Sequence, residues 1–175
     1  QRRVCLVNGG IPAPTPEEIA SIKRQNYANV EQLAAGLTPN IQYPSSQELQ
    51  RLMVKAFLDL ILEEAREPGG NVSRLTNKAV YLLAWLKRYQ KELFAGWQMP
   101  EVGVFLLFGR CATANEALFL RLLARLPVDV LVLLPDGNQG CPLQDPALLE
   151  LRYEQSLPMD SFPVEPAQVR VSTAA

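Results

Sequence analysis

The sequence predicts an α/β fold, a Rossmann-like parallel sheet with flanking helices in three layers. Three observations carry that prediction. Residues 102–108 form an apolar run too short for a free-standing helix, and it ends at Gly109. Residues 128–134 form a second such run, closed by Pro135-Asp136-Gly137. Between them lies a helical stretch opening at Thr113, and a connection of about 20 residues suits the crossover that parallel strands require. Neither run alternates apolar with polar residues, so both faces of each strand are expected to be buried. Residues 102–136 are therefore read as a central βαβ unit, with any site where the strand ends meet the helix N-terminus.

Taken in order, residues 3–7 read as a short strand leading into Asn8-Gly9-Gly10, a tight turn or a place where a ligand approaches the backbone. Ile11 to Pro14 form a stiff linker. Thr15-Pro16-Glu17-Glu18 then starts a helix running toward Tyr27, with Thr15 at the N-cap, Pro16 at the first helical position and Glu18 closing a capping box. Residues 29–44, punctuated by Gly36, Pro39 and Pro44, are expected to be a surface loop with one helical turn near Val30. Ser45 and Glu48 form a second capping box. Leu49, Leu52, Met53, Ala56, Phe57, Leu60 and Ile61 follow at helical spacing until Pro68-Gly69-Gly70. A third helix starts near Ser73 or Thr76 and carries Leu75, Ala79, Leu82, Leu83, Leu86, Tyr89, Leu93 and Phe94. Its Arg74, Lys78, Lys87, Arg88 and Lys91 read as a solvated face rather than an anion site. Trp85 and Trp97 are expected in the core. Asp59, Glu63 and Glu64 also read as a solvated helix face. Thr113 and Glu116 make a third capping box, and Asp145-Pro146 is expected to open a short helix. Residues 156–166 are Pro-rich, and residues 167–171 read as one more strand.

At 175 residues and 48% apolar content, the chain suits a single domain, residues 1–175, with ample core. The N-terminal strand and helices occupy 1–100, the central unit 102–136, and the C-terminal segment 156–175 is expected to be truncated. Gln1-Arg2-Arg3 has no initiator Met and the last segment stops as it begins, so a fragment of a longer protein is expected. A net charge of −1 and a pI near 5.6 give no basic footprint for nucleic acid. No apolar stretch approaches the roughly 18 residues of a membrane span. Cys5, Cys111 and Cys141, an odd and sparse set, fit a reducing compartment better than a disulfide scaffold. The chain has no histidine. Within these residues, that excludes Ser-His-Asp or Cys-His nucleophiles and histidine-ligated metals, and no metal site is expected.

No Walker A loop or three-glycine dinucleotide fingerprint is present. The candidate binding residues are Gly9, Gly10, Gly109, Arg110, Thr113 and Asp136. Gly109 to Thr113 combine backbone N–H groups, a positive helix end, a guanidinium and a hydroxyl, a set suited to phosphate. Asp136 stands where an acid can accept ribose hydroxyls in nucleotide-binding βαβ units. Helix capping and an Asp-Gly turn are the competing accounts of Thr113 and Asp136. Cys111 and Cys141 follow two strand ends and could share that rim, but without histidine they make an incomplete metal pair. No pattern assigns a catalytic residue, and no cofactor is identified.

Read together, several stretches resemble the bacterial YceG-like family: Val7-Asn8-Gly9-Gly10-Ile11-Pro12, residues 77–89, Phe108-Gly109, Phe119-Leu120, Val128-Asp129-Val130-Leu131 and Arg170-Val171-Ser172-Thr173-Ala174. The resemblance spans most of the chain, and the shared stretches are largely structural. It implies a cytoplasmic bacterial component of a biosynthetic module, encountered with tellurite and toxic-anion resistance clusters. On this reading the chain is an α/β domain for a nucleotide, nucleotide sugar or similar phosphate-bearing metabolite, like one lobe of a glycosyltransferase. The alternative is a non-catalytic scaffold contacting other proteins of the cluster. Phosphoacceptor signalling ranks last, since only Asp136 supplies an acid at a strand end.

Overall fold

The computed structural model describes residues 3–109, 113–136, 143, 145–154 and 162. Three strands, β1 (Val4–Gly9), β2 (Gly103–Gly109) and β3 (Val128–Leu133), pair in the order β1-β2-β3, all parallel. Four α-helices lie between β1 and β2: α1 (Pro16–Ala20), α2 (Val30–Leu37), α3 (Gln47–Ala65) and α4 (Val72–Phe94). A fifth, α5 (Ala114–Ala124), crosses from β2 to β3. The chain is thus an α/β fold on a parallel sheet, with the expected βαβ unit at its centre.

Strand register sorts the side chains into two faces, because successive residues point to opposite sides. Cys5, Val7, Phe105, Leu107, Val130 and Val132 share the face that packs on the helices. Phe105 meets Tyr89 of α4 edge-on at 5.3 Å and Phe119 of α5 at 5.9 Å, so both helices lie on this same side. Trp85 joins them 5.4 Å from Phe119. Such offset aromatic pairs add to the area they bury. On the opposite face, Val4, Leu131 and Leu133 are exposed, while Leu6, Val104 and Leu106 are half-buried. Among the described residues, helices therefore cover one face of the sheet, whereas the apolar runs predict cover on both.

The helix starts follow local chemistry. Thr15 caps α1 in the reciprocal box with Glu18, with Pro16 at the first position. The helix ends at Ala20, well short of Tyr27. Asn29 caps α2, which runs to Leu37 and continues as a 3₁₀ turn over Thr38–Asn40, more structure than the expected loop. Gly36 lies inside α2, where a Cβ would come within 2.4 Å of the Tyr27 ring, so the position has room for glycine alone. The cap of α3 is Ser46, accepting from the Leu49 N–H, one residue beyond the expected Ser45. Leu52 is 37% exposed, while the other apolar positions predicted for α3 are buried. Asn71 caps α4. At 145–148 only a turn forms: the Leu148 N–H donates to the Asp145 carbonyl, and Leu149 and Leu151 face solvent. Among the described residues, nothing covers the apolar side of the expected helix. The strand expected at 167–171 lies outside the described residues.

Two polar networks tie the helices together, and both correct the expectation of solvated faces. Arg88 turns inward from α4 to pair with Glu18, and also donates to the carbonyls of Pro12 and Ala13. Trp85 Nε1 donates to the same Pro12 carbonyl at 2.9 Å, so the linker after β1 is fastened to α4. Arg74, Lys87 and Lys91 do remain exposed. Glu63 of α3 accepts from Arg121 of α5 and from Arg125 at its C-cap, and Glu64 from Lys78 of α4. Asp145 lies 3.5 Å from Arg121 Nε, which brings the 145–148 turn against α5. These bonds set the relative placement of α3, α4 and α5 around an apolar core.

Candidate functional site

The candidate site is the rim where β1 and β2 end and α5 begins. Gly9 and Gly109 are register partners on the last rung between these strands. Both have left-handed backbone, with φ of 79° and 114°. That region is open to glycine and strained for other residues. A Cβ on Gly109 would lie 3.4 Å from the Gly9 backbone, so the two exits approach without intervening side chains. The strand continues two residues beyond the expected end at Val7, through Gly9, and the chain bends at Gly10.

Thr113 is in extended conformation, and its hydroxyl accepts from the Glu116 N–H at 3.0 Å, capping α5 as the sequence predicts. The helix N-terminus is therefore directed to the carboxyl end of the sheet, the end of a helix whose dipole favours anions. Gly10 follows Gly9 into this region, and a Cβ there would sit 3.3 Å from Oε1 of Glu116. Glu116 is buried, 4% exposed, and its carboxylate faces the exit of β1. Sequence reasoning placed Glu116 only in a cap. Its apolar neighbours Ala117 and Leu118 signal burial of that turn, but the contact with Gly10 depends on tertiary packing.

Asp136 lies three residues beyond Leu133, the last residue of β3, and is exposed. Its strand neighbours β2, which places it along the same strand-end edge but two strands away from Gly9. The structure thus brings Gly9, Gly10, Gly109 and the start of α5 together, with Asp136 farther along. Arg110, Cys111 and Cys141 lie outside the described residues. The strand order contains no reversal among the described strands, so the rim is not set in a switch-point crevice of the doubly wound kind.

Other titratable and concave features lie elsewhere. The Cys5 thiol is buried under the sheet and donates to Glu92 at 3.2 Å; burial first, then this bond, pushes its pKa up to about 12. Such a thiol is a packed structural group rather than a nucleophile. The Arg88 guanidinium holds the Glu18 carboxyl below its ordinary range. An open concavity of about 410 Å³ lies between α2 and α3, lined by Ala35, Pro39, Ile41, Gln50, Val54 and Leu58 among others. Among the described residues, no group of three or more candidate ligands could hold a metal ion, and no helix is long and apolar enough to cross a membrane.

Fold and rim together define an α/β protein whose parallel strands end in paired glycines beside a capped helix start. The chain belongs to the family described as the YceG domain, whose model matches residues 3–175. No curated protein and no solved structure matches it.

Proposed function

We propose that this domain is a Rossmann-like ligand-binding unit of a cytoplasmic bacterial biosynthetic module, acting in tellurite and toxic-anion stress. Its ligand is a nucleotide, a nucleotide sugar or a similar phosphate-bearing metabolite. The observation that carries this reading is the Gly9–Gly109 pair in left-handed backbone beside the N-terminus of α5. Bare backbone at strand ends and free N–H groups at a helix start are what a phosphate uses. In this reading Arg110 neutralises the phosphate, the start of α5 at Thr113 donates N–H groups, and Asp136 accepts hydroxyls. Glu116 adds a second carboxylate beside Gly10. Without histidine in this chain, a base for group transfer is a carboxylate or comes from another part of the protein.

A second reading, a non-catalytic scaffold for other proteins of the cluster, is favoured by the apolar sheet face that helices leave open. Thermal unfolding against a panel of nucleotides and nucleotide sugars separates the two, because ligand bound to the folded state raises the melting temperature. The binding reading expects a rise that disappears in Arg110→Ala while the ligand-free melting temperature is kept. The same rise in parent and Arg110→Ala would overturn the assigned phosphate contact. No rise with any compound at millimolar concentration would favour the scaffold.

A further inference from the structure

The chain leaves β1 through a closely held stretch. At Gly10 a Cβ would come within 3.3 Å of Glu116 Oε1, and Ile11 is buried in the core. Pro12 has no N–H, so its carbonyl is its one backbone hydrogen-bonding group. That carbonyl accepts twice, from Trp85 Nε1 at 2.9 Å and from Arg88 Nη1 at 2.6 Å. The Ala13 carbonyl accepts from Arg88 Nη2 at 3.1 Å. The Arg88 guanidinium is itself oriented. Its Nε and Nη2 fork onto the two carboxylate oxygens of Glu18, and its central carbon stands 5.6 Å from the centre of the Tyr89 ring. Glu18 is held in turn by the capping box with Thr15. One side chain therefore joins α1, the linker and α4. Arginine suits that task, since its planar fork presents donors at fixed angles where lysine offers a single point charge.

We propose that Arg88, oriented by Glu18, is a positioning residue of the strand-end rim: by fixing Pro12 and Ala13 it sets the Gly9-Gly10 backbone against Gly109 and Glu116. The inference rests on the rim as the phosphate-binding site, and adds a residue that shapes the rim without touching the ligand. The stiffness of the linker carries the effect. Pro12 and Pro14 lock their own φ, and Ile11 and Ala13, each preceding a proline, are restricted as well. Residues 11–14 therefore move as one piece. The soft dihedrals next to that piece belong to Gly10 and Gly9, so a displacement at Pro12 is taken up at the two glycines.

Amide spectra of the isotope-labelled full chain, free and with inorganic pyrophosphate, test it in the parent, Arg88→Lys and Glu18→Gln. Glutamine can still close the capping box, so Glu18→Gln weakens the clamp and keeps the start of α1. Without ligand, the amides of Gly9, Gly10 and Glu116 are expected to shift in Arg88→Lys, and in the same direction but less in Glu18→Gln. Leu33, Phe57 and Leu123, all buried, keep their parent positions and report that the core stands. Pyrophosphate affinity is expected to fall severalfold, in the same order. If Arg88→Lys loses the core signals, Glu18→Gln decides alone. Glycine amides unmoved in a folded variant, with the disturbance confined to residues 12–18, would overturn the positioning role. Moved glycines with unchanged pyrophosphate affinity would also overturn it. A parent in which pyrophosphate perturbs no amide would overturn the phosphate reading, and moved glycines in the ligand-free variants would then still support the setting of the rim by Arg88.

Discussion

The helix-packed face of the sheet and its strand-end rim are built from the same strands by opposite means. On the face, Phe105 packs against Tyr89 and Phe119, Trp85 against Phe119, and Leu107 is buried in the same core. At the rim the same strands end in Gly9 and Gly109, and the close approach of their backbones rests on the absence of side chains. The face contributes stability through buried area, whereas the rim spends backbone freedom on a shape. The contrast teaches where to look for function in a chain without a complete motif: at the place where the strand stops filling space.

Three substitutions can break or sharpen that contrast. The largest effect belongs to the face. Phe119→Ala should lose about 3–5 kcal/mol of unfolding free energy, the usual cost of a large aromatic cavity, measured by urea denaturation. A loss below about 1 kcal/mol would mean that the aromatic cluster is not the core of the sheet. Gly109→Ala comes next. Its φ of 114° is strained for alanine, although the new Cβ would meet Gly9 only at ordinary contact distance. The expected loss is about 1–3 kcal/mol, together with a disproportionate loss of ligand-induced stabilisation. Equal effects of Gly109→Ala and Phe119→Ala on binding would erase the distinction between face and rim.

The smallest effect is a pH dependence. Burial and the bond to Glu92 keep Cys5 protonated up to about 12 in the folded chain, against an ordinary value of 9.0. The raised value means that this stabilisation is complete below the unfolded pKa and is lost as pH rises toward the folded one, because the unfolded state releases its proton first. Burial moves Tyr43 and Tyr89 in the same direction. The urea midpoint should therefore fall between about pH 8 and pH 10.5, and should fall less steeply in Cys5→Ala. Identical slopes would place Cys5 in a wetter setting than the sheet face.

How much of this was legible in the sequence depended on the range of the interactions. Thr15-Pro16-Glu18 and Thr113 announced their helices because a cap is a contact within three residues. The pair Ser45-Ser46 offered two caps in a row, and the structure uses Ser46, in register with the buried Leu49 and Met53. Asp145-Pro146 carried the same start signal, but Leu149 and Leu151 stay exposed and only a turn forms there. Gly36 read as a breaker because the ring of Tyr27 across it belongs to tertiary structure. Arg88 read as a surface cation because Glu18, its partner, lies 70 residues away. At the rim, Gly9, Gly10, Gly109 and Thr113 were legible as types at strand ends. The Gly9–Gly109 pairing and the approach of Glu116 to Gly10 depend on strand register, which no local pattern encodes.

The most direct test of the rim as the ligand site is an amide chemical-shift titration of the isotope-labelled chain. The probe is whichever nucleotide or nucleotide sugar gives the largest thermal shift. The account predicts perturbations concentrated at Asn8, Gly9, Gly10, Gly109 and the first turn of α5, with Leu33, Ala35 and Gln50 unmoved. Perturbations centred on the α2–α3 concavity, with the glycines silent, would contradict it.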